Sequence, residues 1–221
     1  LGEIYTGEKN STFFVAPWTF VIPPLKISHE EGEMILQRSR YFTEPACGSM
    51  ISSGITAPIN REGSIAIELA EAIAVWLCYR LVNPEIKLYA LFASSTFDMK
   101  KGTCVFASPG AVLQDAACSQ ILSWYFDART DIAPNYVEAK VPGMQTIYEK
   151  LFKNFAVFTY TGQFSFDAGL LEAGNTFSPL QAIIDLEMWK SIRAVYSKEP
   201  KADQSIPFTE INEVLNANDN F

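Results

Sequence analysis

The sequence predicts an α/β chain assembled from repeated βα units, on two observations. Short runs rich in aromatic and β-branched residues alternate with longer amphipathic blocks, and several of those blocks open on helix-start residues. Alternation of this kind implies parallel strands joined by right-handed crossovers. On pattern alone the sheet can be doubly wound or closed into a barrel.

The elements follow in order. Phe13 to Ile22 is aromatic and β-branched, reads as a strand, and closes at Pro23-Pro24. Ser28-His-Glu-Glu31 is a capping box, with Ser28 accepting a backbone N–H and Glu31 reaching back, and its helix runs to about Arg40. Pro45 to Met50 is a short buried strand. Asn60 then caps a helix whose apolar stripe is Ile65, Leu69, Ala72, Ile73, Trp76 and Leu77, ended by Val82-Asn83-Pro84. Ile86 to Phe92 is the third strand. Ser108-Pro109 starts the next helix, with a capping serine and a proline at the position that needs no N–H, and it reaches about Phe126. Tyr136 to Val141 is the fourth predicted strand, Met144 to Phe152 a helix, and Phe155 to Tyr160 the fifth strand. A second capping box, Ser178-Pro-Leu-Gln181, opens a helix to about Tyr196; a polar linker from Lys198 to Gln204 leads to a terminal helix over Ile206 to Asn216.

Composition narrows the function. The chain has 221 residues, 48% hydrophobic and 19% charged, which is ample for a packed core. A net charge of −8 and a pI near 4.8, with 17 scattered Lys and Arg, argue against a nucleic-acid surface, because neutralising phosphates needs clustered cations. The longest apolar block, Ile65 to Val82, is broken by Glu68, Glu71 and Arg80, so no membrane span is expected. Leu1 to Asn10 shows no signal-peptide pattern. Cys47, Cys78, Cys104 and Cys118 lack metal-ligand spacing and read as reduced buried thiols, which points to the cytoplasm. His29 is the single histidine, so the sequence supplies neither an HExxH motif nor the ligand cluster of a zinc-activated thiol, and no intrinsic metal is expected.

Punctuation between the apolar blocks is more specific than composition. Gly54-Ile-Thr-Ala-Pro58, Val82-Asn-Pro84, Asp98-Met-Lys-Lys-Gly102 and Ser108-Pro109-Gly110 come in fixed order. They are followed by Glu138-Ala-Lys-Val-Pro142, by Gln145 with Tyr148-Glu149-Lys150, and by Gly169-Leu-Leu-Glu-Ala-Gly-Asn-Thr-Phe-Ser178 with Gln181 and Ile184-Asp185. This ordered series, covering residues 14 to 195, resembles the trimethylamine methyltransferase superfamily. The resemblance implies a (β/α)8 TIM barrel, of which this chain would be the C-terminal part: residues 1–197 would carry five βα units, and residues 198–221 the linker and a terminal helix packing on the barrel. An isolated arc would expose two sheet edges, so the chain is expected to be unstable or to oligomerise, as a homo-oligomer.

The resemblance also implies a reaction, in which a methyl group passes from a methylated amine to the Co(I) of a corrinoid (cobalamin) carried by a partner protein. A barrel site lies at the C-terminal ends of the strands. The residues there are Trp18 and Phe20, Phe92, Phe97 and Asp98, Tyr136, Glu138 and Lys140, and Tyr160 and Gln163. Asp98 and Glu138 are expected to be the catalytic carboxylates; Trp18, Phe20, Phe92, Phe97, Tyr136, Lys140, Tyr160 and Gln163 are expected to bind substrate. The physical reason for aromatics is that a quaternary ammonium has no N–H to donate and is recognised by ring faces, at roughly 0.5 to 2 kcal/mol each. Asp98 has the alternative of a turn or cap, and Glu138 that of an ion pair with Lys140 or Lys100. A betaine carboxylate would find its partner among Lys100, Arg129 and Lys140, each of which also reads as a surface charge.

Members specific for trimethylamine are distinguished by pyrrolysine. The corresponding region here, Asn135-Tyr136-Val137, holds ordinary residues, which favours a quaternary amine such as glycine betaine, proline betaine or carnitine. Two departures lie beside the presumed site: Val137-Glu-Ala-Lys140 stands for the usual Thr-Asp-Ala-Lys, and Gly143-Met144 for Asp-Ala. The alternatives are a degenerate barrel that binds quaternary amines without transferring anything, a structural fragment, or trimethylamine itself as substrate.

Overall fold

The computed structural model describes residues 18–42, 44–133, 135–163, 167–196 and 208–217. In chain order these form β1 (Trp18–Phe20), α1 (His29–Arg38), β2 (Ala46–Ser49), β3 (Ser52–Ser53), α2 (Arg61–Val82), β4 (Tyr89–Phe92), β5 (Ser95–Asp98), β6 (Thr103–Val105), α3 (Pro109–Phe126), β7 (Arg129–Ile132), α4 (Met144–Thr161), β8 (Leu170–Leu171), a 3₁₀ turn (Glu172–Gly174), β9 (Thr176–Phe177), α5 (Pro179–Tyr196) and α6 (Phe208–Ala217).

The main sheet has the order β1-β2-β4-β7, with every neighbouring pair parallel. Strand order follows chain order, so each βα unit adds its strand on the same side. A doubly wound sheet reverses direction at a switch point; the described strands do not. Beyond Ser49 and Phe92 the pairing of the second and third strands resumes in the same register, through Ser52 opposite Ser95 and Ser53 opposite Thr96. The bonds Ala93 N–H to Ser49 O and Ser95 N–H to Ile51 O bridge the interruption. β5 then folds back on β6 as a hairpin.

Strand alternation sorts the two faces. Val21, Cys47, Ala90, Phe92 and Ile132 lie in the hydrophobic core with Ile35, Ala72, Val75, Val112, Cys118 and Leu122 of α1, α2 and α3. Thr19 points the same way and bonds the Tyr79 hydroxyl of α2 at 2.7 Å. On the opposite face Phe20 lies over Gly48, where an added Cβ would stand 2.4 Å from the ring, so only glycine fits beneath it.

Two of the five predicted strands are corrected. The fourth parallel strand is Arg129–Ile132 and not Tyr136 to Val141; the latter follows the strand as an irregular segment, tied to the 3₁₀ turn by Glu172 N–H to Ala139 O and Ala173 N–H to Val137 O. Phe155 to Tyr160 is helix, the second half of α4, which runs unbroken to Thr161 and stops at Gly162 in the left-handed region with φ 69°. Its buried positions, Thr146, Lys150, Lys153, Asn154 and Val157, have helical spacing but are almost all polar, so no apolar stripe marked them in the sequence. The fifth strand therefore has no counterpart at its predicted place.

Helix starts follow the sequence in part. Ser28 accepts Glu31 N–H, Ser108 accepts Ala111 N–H and Ser178 accepts Gln181 N–H. The reciprocal half differs between the two boxes: Gln181 donates instead to Asp185, and Glu31 Oε2 has no hydrogen-bond partner among the described residues. Asn60 holds the N-cap position of α2 by backbone conformation without a side-chain cap bond. The predicted strand start at residues 13–17 and the linker at residues 198–204 lie outside the described residues.

Candidate functional site

Loops leaving the C-terminal ends of β4 and β7 meet the start of α4 and the 3₁₀ turn around a cleft of about 720 Å³. Its chemistry comes from Glu138 and Lys140 of the segment after β7, Lys101 and Phe106 from the β5–β6 region, Glu149 of α4 and Glu172 of the 3₁₀ turn. Phe106 packs against Tyr136 with ring centroids 5.7 Å apart, and Tyr136 in turn lies 3.5 Å from where a Cβ on Gly174 would sit. Gly174 has φ +86°, which an L side chain seldom adopts, so the turn closes against the ring only with glycine there.

Glu138 is the central acid. Its Oε1 accepts the backbone N–H groups of Phe106 and Ala107, the two residues just before the Ser108 cap of α3. The segment's own peptides are held as well: Glu149 Oε2 accepts Glu138 N–H at 3.0 Å and Ala139 N–H at 3.1 Å, while Gln145 donates to Glu149 Oε1 at 2.7 Å. Burial raises the Glu138 carboxyl above the ordinary range; the Phe106 N–H opposes that rise and the nearby Glu149 charge adds to it. Lys140 pairs with Glu172 at 3.1 Å on the exposed rim, and that bond holds the Glu172 carboxyl below its usual value. Three carboxylates thus face two ammonium groups, a balance that favours a cationic ligand.

Beneath the cleft lies a layer of buried charge. Lys153 of α4 is 1% exposed and donates to Ala133 O and Tyr136 O, both at 3.0 Å. Burial lowers its ammonium to about 8 against the attraction of Asp115, Glu138 and Glu149. Lys150 forms a 2.5 Å ion pair with Asp185, and Asp185 also accepts Gly169 N–H and Gln181 Nε2. A second cluster joins α2, α3 and the β4 loop: Glu68 accepts from Ser94, Gln114 and Cys118, and burial with the neighbouring Asp115 drives its carboxyl well up.

Among the expected site residues, the structure brings Glu138 and Lys140 into the cleft lining; Tyr136 lies outside that lining, packed on the lining residue Phe106. Asp98 sits at the turn between β5 and β6, where its Oδ1 accepts Lys100 N–H and Lys101 N–H in an Asx turn. Phe97 lies on β5 beside Gly54, outside the cleft lining. Phe92 is completely buried between sheet and helices. Trp18 and Phe20 pack edge to face at 6.2 Å on β1, at the other edge of the sheet from β7. Tyr160 is an exposed residue of α4 whose carbonyl accepts Gln120, and Gln163 donates to Thr130 at 2.6 Å. Of the cations weighed for a carboxylate, Lys100 belongs to the turn, and Arg129 starts β7 at the far end of the sheet, 4.4 Å over the Tyr89 ring and 3.8 Å from Glu44. Sequence reasoning missed Lys101, Phe106, Glu149, Lys153 and Glu172. Lys101, Glu149 and Glu172 lay within the ordered motifs without a role assigned to them, and the four-residue spacing from Glu149 to Lys153 was the one further signal.

Among the described residues no group of three or more His, Cys, Asp or Glu is placed to hold a metal ion, all four cysteines are free, and no helix is long and apolar enough to cross a membrane.

Comparison with known proteins agrees with the motifs. The profile of the family described as Trimethylamine methyltransferase (MTTB) matches residues 8–221. The chain is 27% identical over 191 residues to the trimethylamine methyltransferase MttB of Methanosarcina barkeri (strain Fusaro / DSM 804), covering 86% of this chain and 38% of that protein. It is 26% identical over 193 residues to the trimethylamine methyltransferase MttB of Desulfitobacterium hafniense, with 86% and 38% covered. The chain therefore spans about two fifths of the length of these relatives. With the match extending over nearly all of its residues, the chain belongs to the trimethylamine methyltransferase (MTTB) family.

Proposed function

We propose that this chain forms part of an enzyme that moves a methyl group from a quaternary amine of the glycine betaine kind to a corrinoid carried by a partner protein. The observation that carries the reading is the acid-rich cleft at the strand ends, with Glu138 at its centre and the Phe106–Tyr136 ring pair beside it. Rings recognise a cation that has no N–H, and the surplus carboxylate adds longer-range attraction. The four parallel strands in chain order support a segment of a (β/α)8 barrel with its site at the strand ends, and the free cysteines support a cytoplasmic protein.

Leaving-group charge selects the substrate. A quaternary ammonium departs as a neutral amine, whereas an unprotonated tertiary amine would depart as an amide anion. The relatives are named for trimethylamine; here the segment that carries pyrrolysine in trimethylamine-specific members reads Asn135-Tyr136-Val137, with Asn135 bonded to Asn154. Positive charge leaves the nitrogen during transfer, so grip on the ground state must stay moderate. Glu138 is suited to that, since Phe106 and Ala107 already share its charge. The corrinoid supplies the nucleophile and is a co-substrate. The cleft lining offers no imidazole to ligate it, because the single histidine is His29 on α1, so this chain's task is to bind and orient the amine and keep water out.

Calorimetry of the chain with glycine betaine, carnitine and trimethylamine tests the reading, followed by methylcobalamin absorbance with a corrinoid protein. Binding of the quaternary amines, weakened about tenfold by Glu138→Gln, is expected. A strong preference for trimethylamine would sink it. One observation favours a binding-only alternative: both expected carboxylates are already engaged, Asp98 by Lys100 and Lys101 and Glu138 by Phe106 and Ala107. Binding without methylcobalamin formation would select that alternative.

A further inference from the structure

Five peptide groups of the segment carrying Glu138 are gripped by one face of one helix, while the 3₁₀ turn holds Val137 O and Ala139 O. Residues 146, 149, 150 and 153 of α4 follow the spacing of a single helical face. Thr146 donates to Val141 O at 2.7 Å, Glu149 accepts Glu138 N–H and Ala139 N–H, and Lys153 donates to Ala133 O and Tyr136 O. Asn154, next to Lys153, donates to Asn135 Oδ1 at 3.1 Å. A buried ammonium is costly to keep in a fold, and an apolar residue would pack as well if filling space were its only task.

We infer that Glu149 and Lys153 are positioning residues for Glu138, holding its segment by opposite peptide groups and setting opposite charges against its carboxylate. The inference rests on the reading of Glu138 as the acid that receives the cation.

The charges around Glu138 come from every element that borders it. α4 supplies Glu149 and Lys153; the β5–β6 hairpin supplies Lys101 and the Cys104 thiol; the segment itself supplies Lys140; the 3₁₀ turn supplies Glu172; and Asp115 of α3 acts on Lys153. Lys140 is already paired with Glu172 on the solvent side. Glu149 and Lys153 are the two side-chain charges that act on Glu138 from within the fold, one discouraging its ionisation and the other favouring it.

Carboxyl-carbon NMR of glutamate-labelled protein, with the Glu138 signal assigned by Glu138→Gln, reads the effect. Glu149→Gln removes a negative charge yet leaves an oxygen that accepts the same two N–H groups, so the Glu138 midpoint should fall by about one pH unit while the Glu138 and Ala139 amides stay protected from exchange. Lys153→Met should raise the midpoint by about the same amount, and Lys153→Arg should leave it near the wild-type value. A role in folding alone would loosen the segment, admit water and lower the midpoint in both variants. Midpoints that move together or do not move overturn the inference; should Lys153→Met fail to fold, loss of amide protection in Glu149→Gln, or a midpoint unmoved or raised there, overturns it alone. Titration with tetramethylammonium tests the proposed function separately, because wild-type protein that ignores this cation removes that reading and leaves the carboxyl titrations to decide this one.

Discussion

At the scale of single residues, buried charge sets the pH behaviour. Burial raises the Glu138 carboxyl, so affinity for a quaternary cation should climb with pH as that carboxyl ionises, and calorimetry over a pH series should lose the climb in Glu138→Gln. Glu68 behaves in the same sense for stability. A carboxyl whose folded value is raised binds its proton more tightly in the folded state, so stability is greatest below the unfolded value and falls as pH rises toward the folded one. Urea melts should show that decline from the ordinary carboxylate range into neutrality, and Glu68→Gln should flatten it. Lys150→Met leaves Asp185 buried without its cation, which should destabilise by about 3 to 5 kcal/mol in the same melts.

At the scale of elements, helix ends give separable tests. Ser108 is both the N-cap of α3 and a partner of Thr96 at 2.8 Å, so Ser108→Ala should lower stability by about 1 kcal/mol or somewhat more. α3 ends on Asp127 in the left-handed region with φ 49°, where glycine is at ease; Asp127→Gly should raise the melting temperature, with a gain of roughly 0.5 to 1 kcal/mol. Helices with apolar stripes and capping serines were legible in the sequence. α4 was legible only to Phe152, because Phe155-Ala-Val-Phe-Thr-Tyr160 has the composition of a strand and the face it continues is made of Thr146, Lys150, Lys153 and Asn154. β7 was missed for the converse reason: Arg129-Thr-Asp-Ile132 has one aliphatic residue, and its polar members are satisfied by tertiary partners, Arg129 over Tyr89 and Thr130 against Ser119 at 2.6 Å.

At the scale of the whole molecule, β1 and β7 bound the main sheet among the described residues, and such edges recruit further strands. The chain is expected to sediment above its 24.6 kDa monomer mass in a concentration-dependent way, and a sharp monomer with one cooperative melt would count against this. Order of motifs along the chain was enough to determine the family and the α/β alternation, since turn residues and strand-helix periodicity are local properties. It also placed Glu138, Lys140 and Tyr136 in one segment. What only the tertiary structure decided is which charges share an environment. Asp98 and Glu138 look alike as loop acids, yet one closes a turn in solvent and the other is drawn into a cleft over Glu149 and Lys153. Burial and long-range approach make that difference, and neither is written in the residues next to the carboxylate.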